Sequence, residues 1–468
     1  MLFNTAQFAI FFASVLLVYR LLPSVRRNSW LLGASFLFYF LWIPSHLLLL
    51  LADIVVNYAL MRAMLRSNRP RLFLTLSIVF TLGLLAAFKY AAFLVESMAP
   101  MTGALFGASL DIPDLLLPLG ISFYSFQIIG LQIDCYRRTA EAPDRLSRYA
   151  LFVAFFPQLI AGPILRGREL LPQLERGGVL EPERTRRGVW LIASGIVKKV
   201  LIADFLLSPF VDSVFGNPGV ASAPVHLLAV YSFAFQIYCD FSGYTDMARG
   251  LGCLLGFELP LNFREPYLSR DPSEFWRRWH ITLSQWFRDY LYIPLGGNRI
   301  GPARTYWNLL VTMLLGGLWH GAGWGFVIWG AAHGLFLALH RRFSGTGKDP
   351  ERPFGASDVL RVALTFHAVC LLWVFFRANS LDDAMLVLGK IFAGSYGVAW
   401  PVLPALVVVL CAVLHGVERV LRLRLPEIRR WLGMGPLGGL VEGAALGVIA
   451  ALALAAGGLG SDFIYFQF

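Results

Sequence analysis

The residues of this chain that could do chemistry are ionisable groups lodged in otherwise apolar stretches, above all His320 and His280. An unperturbed imidazole titrates near pKa 6.5, so it can take a proton from a hydroxyl as that hydroxyl attacks an activated carbonyl. His320 ends the apolar run of TYWNLLVTMLLGGLWHGAGWG and is bracketed by Gly316, Gly317, Gly321, Gly323 and Gly325. Glycines let helices pack closely, and they also let a thin ligand pass, so a histidine at this break is well placed to border a passage. Counted from Arg304 at helical rise, it lies roughly 24 Å along its helix. His280 sits in RDPSEFWRRWHITLSQWFRDYLYIPLGG, where Asp271 as N-cap, Pro272 at the first helical position and Glu274 completing a capping box predict a helix start. Phe275, Trp279, Leu283, Trp286 and Tyr290 recur at i+3 or i+4 and predict one aromatic stripe. Arg277, Arg278, Gln285 and Arg288 fall largely opposite, the pattern of an amphipathic helix lying in the membrane interface. His280 stands at the border of the two faces, as a catalyst or as a hydrogen-bonded structural histidine. His333 and His367 are in-span alternatives, while His46, His226, His340 and His415 fall near span ends.

The densest polar run within an apolar segment is QIYCDFSGYTDMAR, with Asp240 and Asp246, and Arg249 three residues on from Asp246. Such acids are functional candidates, or they are held by internal ion pairs. Asp53 with Asn57 at i+4 reads the same way, and Lys198 and Lys199 either meet an anionic ligand or snorkel. No G-x-S-x-G elbow, P-loop, HExxH or CxxC cluster occurs in a credible context, so a covalent serine or cysteine mechanism and a metal site lack support. Cys135, Cys239, Cys253, Cys370 and Cys411 are scattered and suggest no disulfide framework. A thioester donor needs no enzyme nucleophile. Arg137, Arg166, Arg277 and Arg278 could hold the phosphates of a carrier such as coenzyme A, though membrane topology explains them equally well.

The elements that must position these groups are membrane helices. Of the 468 residues 57% are hydrophobic and 15% charged, against about 25% charged in an ordinary soluble domain. The formal net charge of +11 would suggest nucleic acid in a soluble protein; here it reads as basic residues retained on the cytoplasmic side. Apolar stretches predict spans near 8–23, 29–43, 47–61, 72–95, 115–135, 188–214, 225–250, 306–319, 324–340, 357–376, 398–418 and 436–457, about eleven or twelve helices in one all-α polytopic membrane domain over residues 1–468. The N-terminus carries no basic residue before its first span, which is therefore retained rather than a signal peptide, and it is expected outside. Two apolar segments, 149–165 and 273–297, have arginines at both ends. The first is broken by Pro157, Gly162 and Pro163; both are expected to be re-entrant, dipping in from the cytoplasm.

The blocks PLGISFYSFQ, FFPQLIAGPI, DFSGYTDMARG, FWRRWHITLSQWFRDYLYIPLGGN, LLGGLWHGAGW and the terminal FIYFQF resemble the membrane-bound O-acyltransferase family, in particular its bacterial branch of alginate O-acetylases and teichoic acid D-alanyl transferases. The likeness runs along almost the whole chain. It implies a helical fold around a central tunnel joining a cytoplasmic donor to an external acceptor. It implies His320 of the LWHG block as the catalytic residue and His280 of the RRWH block as its companion. Trp279, Arg277, Arg278, Asn298, Trp319, Asp240 and Gln127 are then expected along the donor-binding or tunnel wall.

The activity so implied is O-acyl transfer in the bacterial inner membrane. No cofactor is bound, acetyl-CoA or another acyl-carrier thioester is the donor, and extracytoplasmic acetyltransferase proteins hand the group to an exported polysaccharide. Acetylation of an alginate-like polymer is favoured; D-alanylation and acetylation of peptidoglycan or cellulose are the alternatives within the family. Outside it, a secondary transporter or polysaccharide export channel would also use intramembrane acids and broken helices, but should show paired halves, and none is visible.

Overall fold

The computed structural model describes residues 2–106, 116–160, 162–344, 354–394, 396, 400–431 and 446–448. The predicted last span, near 436–457, and the FIYFQF block lie essentially outside the described residues. Among those described, all regular structure is helical. The chain groups into two compact units: Met1–Ile192 with Ala248–Pro260 and Gly321–Gly323, and Ala193–Met247 with Leu261–His320 and Trp324–Phe468.

Among the described residues, four helices are long and apolar enough to cross a bilayer: Pro44–Arg66, Pro70–Ala99, Ala356–Arg377 and Val402–Val420. Proline opens the first two at a position where its missing N–H costs nothing. The Ala6–Leu21 helix is apolar but shorter; Thr5 caps it, its Oγ accepting from the Phe8 N–H at 3.2 Å.

In the first unit, apolar helices are tied together by buried polar groups. Asn57 donates to Asp53 Oδ1 at 2.7 Å and to Thr81 Oγ at 3.0 Å, and its carbonyl accepts from Gln132 at 2.7 Å. One asparagine thereby links the helices Pro44–Arg66, Pro70–Leu85 and Ile121–Tyr136, the kind of interhelical glue that hydrocarbon surroundings favour. The segment predicted as re-entrant is indeed broken, into Leu146–Ala154 and Phe156–Leu159, and Tyr149 through Ile160 is buried. Backbone groups freed near its break are met by side chains: Gln127 donates to the Phe152 carbonyl and accepts from Gln158 at 2.6 Å, and Ser35 Oγ accepts from the Phe156 N–H at 3.3 Å. Arg148, before this stretch, and Glu175, after it, pair at 2.8 Å, so the chain returns close to where it entered.

In the second unit, Pro302–His320 and Trp324–Ser344 form a tight helical hairpin. A Cβ at Gly317 would collide with the Phe326 carbonyl oxygen, and one at Gly330 with that of Met313. The two backbones touch along this seam, so the glycines at 317 and 330 serve packing. Lys199 and Asp204 pair at 2.9 Å with side-chain exposures of 0% and 2%, and Lys199 also meets Asp240. Lys198 bridges Asp246 at 3.1 Å and Glu418 at 2.8 Å. These lysines, expected to reach an anionic ligand or to snorkel, are committed to interior carboxylates instead.

Residues 273–297 differ from expectation. The continuous amphipathic helix is two short ones, Pro272–Arg278 and Ile281–Phe287, joined at His280 in the left-handed region with φ 44°. Asp271 caps the first as predicted, accepting from the Glu274 N–H at 2.8 Å, but the Glu274 carboxylate turns to the Arg270 N–H at 3.1 Å. The aromatic stripe is buried, and Arg278 on the supposed polar face is buried with it, at 1% exposure. Its Nε lies 2.9 Å from Glu274, and it donates to the Arg264 carbonyl at 3.1 Å. A guanidinium so paired does not face water, so this is interior structure rather than a helix resting on the membrane interface.

Candidate functional site

His320 is the last residue of its helix and 3% exposed. Its ring is held by Trp319 at 5.0 Å, Trp329 at 5.2 Å and Phe376 at 5.3 Å, all nearly edge-on. The imidazole stands on the wall of a cavity of about 220 Å³. Leu309, Thr312, Met313, Gly316 and His320 line one side, spaced three or four residues apart as one helix face requires. That face runs roughly 16 Å by helical rise. Opposite stand Leu283, Ser284 and Phe287 of the second short helix, then Arg288 and Tyr292. Arg288 is 58% exposed and pairs with Asp289 at 2.6 Å, so an ion pair in contact with water belongs to this lining. Gly316 leaves room here, since a Cβ would sit 3.6 Å from the Phe287 ring. Of the flanking glycines, then, 316 shapes the cavity and 317 the helix seam.

His280 is fully buried, with ring centroids 6.2 Å from His320, 5.7 Å from Trp319 and 4.7 Å from Phe241. Its left-handed backbone is a strained choice for a residue with a Cβ, held by surroundings that over-determine it. Those surroundings are residues 262–264. Asn262 Oδ1 accepts from the Thr282 N–H at 3.1 Å and from its hydroxyl at 2.9 Å; the Asn262 carbonyl accepts from the Ile281 N–H at 2.9 Å, and the Arg264 N–H donates to the Arg278 carbonyl at 2.9 Å. Asn262→Ala should cost about 1–3 kcal/mol by leaving the Thr282 N–H and hydroxyl without their acceptor. We expect it to lower kcat with little change in KM, read by steady-state kinetics on folded protein.

The other predicted residues divide. Trp319 and Trp279 are buried around the histidines, with Trp279 stacked on Phe275 at 5.7 Å and packed against Trp373 at 5.1 Å. Arg277 is exposed at the end of its short helix, whereas Arg278 is spent on Glu274 and so is not a ligand for phosphates. Asn298 is exposed in the turn after Gly297; Asn308, which the sequence reading passed over, holds that turn through the Gly297 carbonyl at 3.0 Å. Asp240 serves Lys199, and Gln127 serves the broken segment of the first unit. His333, named as an alternative, is buried against Trp329 at 4.8 Å, and His415 stacks edge-on to Tyr238 at 4.7 Å. Trp276, Trp329, Arg288 and Asn262 went unnoticed as site residues. Helical spacing along 309–320 was the available signal for the cavity face; nothing local marked the other wall.

Comparison with known proteins bears on this arrangement. Residues 145–350 match the membrane-bound O-acyltransferase family model. The chain is 43% identical over 403 residues to a probable alginate O-acetylase AlgI of Azotobacter vinelandii, covering 84% of this chain and 78% of that one. It is 37% identical to a peptidoglycan O-acetyltransferase of Helicobacter pylori, over 85% and 81% of the two chains. A teichoic acid D-alanyltransferase of Streptococcus thermophilus is 29% identical over 58% and 70%. Similarity of this extent sets the transporter reading aside: the chain belongs to the membrane-bound O-acyltransferase family and is a polytopic membrane enzyme that transfers acyl groups to oxygen.

Proposed function

We propose that the protein takes an acetyl group from acetyl-CoA on the cytoplasmic side and passes it outward for O-acetylation of an exported, alginate-like polysaccharide. The observation that carries this is His320 standing on the wall of a mainly apolar cavity that the water-exposed Arg288 also lines. A slender thioester arm fits such a slot. His320 is the general base: it accepts the proton of the attacking hydroxyl, then returns it to the departing thiolate. His280 is a positioning residue, since its ring packs near His320 while its own backbone is pinned from residues 262–264. The likeness to proteins named alginate O-acetylase favours acetyl and a polysaccharide acceptor.

The setting we infer is the inner membrane of a bacterium, with the N-terminus outside, the segments 149–165 and 273–297 entering from the cytoplasm, and extracytoplasmic acetyltransferases completing transfer to the polymer. The Arg148–Glu175 pair supports the first of these re-entries, because a segment that returned on the opposite face could not close it. The test is donor discrimination with purified protein in lipid, offered radiolabelled acetyl-CoA or a D-alanyl thioester carrier. Release of labelled acetyl from CoA is the expected result; consumption of the D-alanyl thioester alone would replace this reading with teichoic-type transfer.

A further inference from the structure

Two indoles complete the cavity wall beside His320. Trp329 is fully buried, and its ring meets that of His320 at 5.2 Å and 88°. Trp276 comes from the first short helix, with its ring 5.8 Å from that of Trp329. His333 is wedged against both, at 5.1 Å from Trp276 and 4.8 Å from Trp329, with its opposite surface parallel to Phe275 at 6.0 Å. The indole N–H of each tryptophan and both ring nitrogens of His333 are buried with no hydrogen-bond partner among the described residues.

Buried polar atoms in folded proteins are nearly always paired, and leaving one alone is costly. Trp279 and Trp373 also bury indole N–H groups without a partner, but they are not among the described residues of the cavity wall. Trp276 and Trp329 are on that wall, Trp329 in ring contact with His320. A donor held ready without a partner is what a site for a developing negative charge requires.

We propose that the indole N–H groups of Trp329 and Trp276 receive the thioester carbonyl oxygen beside His320, and that His333 fixes the two indoles as a positioning residue. The proposal rests on the acyl-transfer reading above. An indole can only donate, so its partner has to be an acceptor, and the carbonyl oxygen is the atom of a thioester that gains charge. A hydroxyl held by His320 attacks a carbon about 3–3.5 Å away, and that carbon's oxygen needs a donor about 3 Å from it; Trp329 is the cavity-wall indole in ring contact with His320, at 5.2 Å. In the step itself the hydroxyl oxygen bonds to the carbonyl carbon, its proton goes to His320, and the π pair moves onto the oxygen held by the indoles. On collapse that pair re-forms the carbonyl, the C–S bond breaks, and the thiolate takes the proton back from His320, giving an ester and a thiol.

Trp329→Phe keeps a flat ring in the stack and removes only the N–H. With acetyl-CoA as donor, kcat should fall about 100- to 1,000-fold, the usual loss on removing one such donor. KM and the melting temperature should stay close to wild type, and Trp276→Phe should show the same split. A purely structural indole would instead lower the melting temperature and leave kcat per folded molecule intact. A second readout is the indole ¹H–¹⁵N spectrum with a hydrolysis-resistant ketone analogue of acetyl-CoA. The signal missing from W329F should move downfield on binding. W329F turning over at the wild-type rate, or an indole signal unmoved by bound analogue, overturns the proposal. Wild-type protein inert toward acetyl-CoA overturns the acetyl reading instead, and W329F compared with wild type on a D-alanyl thioester carrier then decides the role of the indole.

Discussion

His320→Ala should leave a folded protein whose thioester turnover is down by about 10²- to 10⁴-fold, the range over which a positioned general base contributes. The rings around the side chain keep their packing without it: Trp319, Trp329 and Phe376 remain in contact with one another or with neighbouring rings. Stability and activity should therefore separate. Radiolabelled acetyl-CoA consumption and thermal unfolding on the same detergent-purified sample measure both. Turnover within tenfold of wild type would place the base elsewhere, with His280 next in line.

Lys199→Met should produce the reverse pattern. The lysine is fully buried between Asp204 and Asp240, and removing it strands two carboxylates in the interior. Breaking a buried pair of this kind typically costs about 3–5 kcal/mol. The expected outcome is a large drop in unfolding temperature with turnover per folded molecule preserved. Adding Asp204→Asn and Asp240→Asn to the same variant should restore much of the loss, since the uncompensated charges go with them. A K199M protein that stays stable but stops turning over acetyl-CoA would return Asp240 to the wall of the reaction path.

These two residues also show what could be read without coordinates. His320 at the end of an apolar helix, Asp271 and Pro272 at the start of another, and the broken stretch at Pro157 are local features, fixed by neighbours three or four residues away, and they were legible. The break at His280 was not. Its periodicity is helical throughout, and the groups that bend it come from Asn262, twenty residues upstream of the hydroxyl it holds. The lysines were ambiguous for the same reason, since the partner of Lys198 at Glu418 lies 220 residues away. Arg278 misled because an arginine opposite an aromatic stripe looks solvated until Glu274 and Glu265 are seen beside it. The cavity's second wall, Trp329 and Trp276, is built by packing between elements and leaves no spacing to count.

The glycine seam between Pro302–His320 and Trp324–Ser344 has a bearing on how donor preference can change. Because main chain rests on main chain at Gly317 and Gly330, no side chain acts as a spacer there, and the gauge of that half of the slot is a property of the peptide backbone itself. Remodelling for a bulkier acyl group has to come from the facing residues, by trimming Met313, Leu283 or Phe287, while the hairpin behaves as a rigid former against which successive versions of the enzyme are cast.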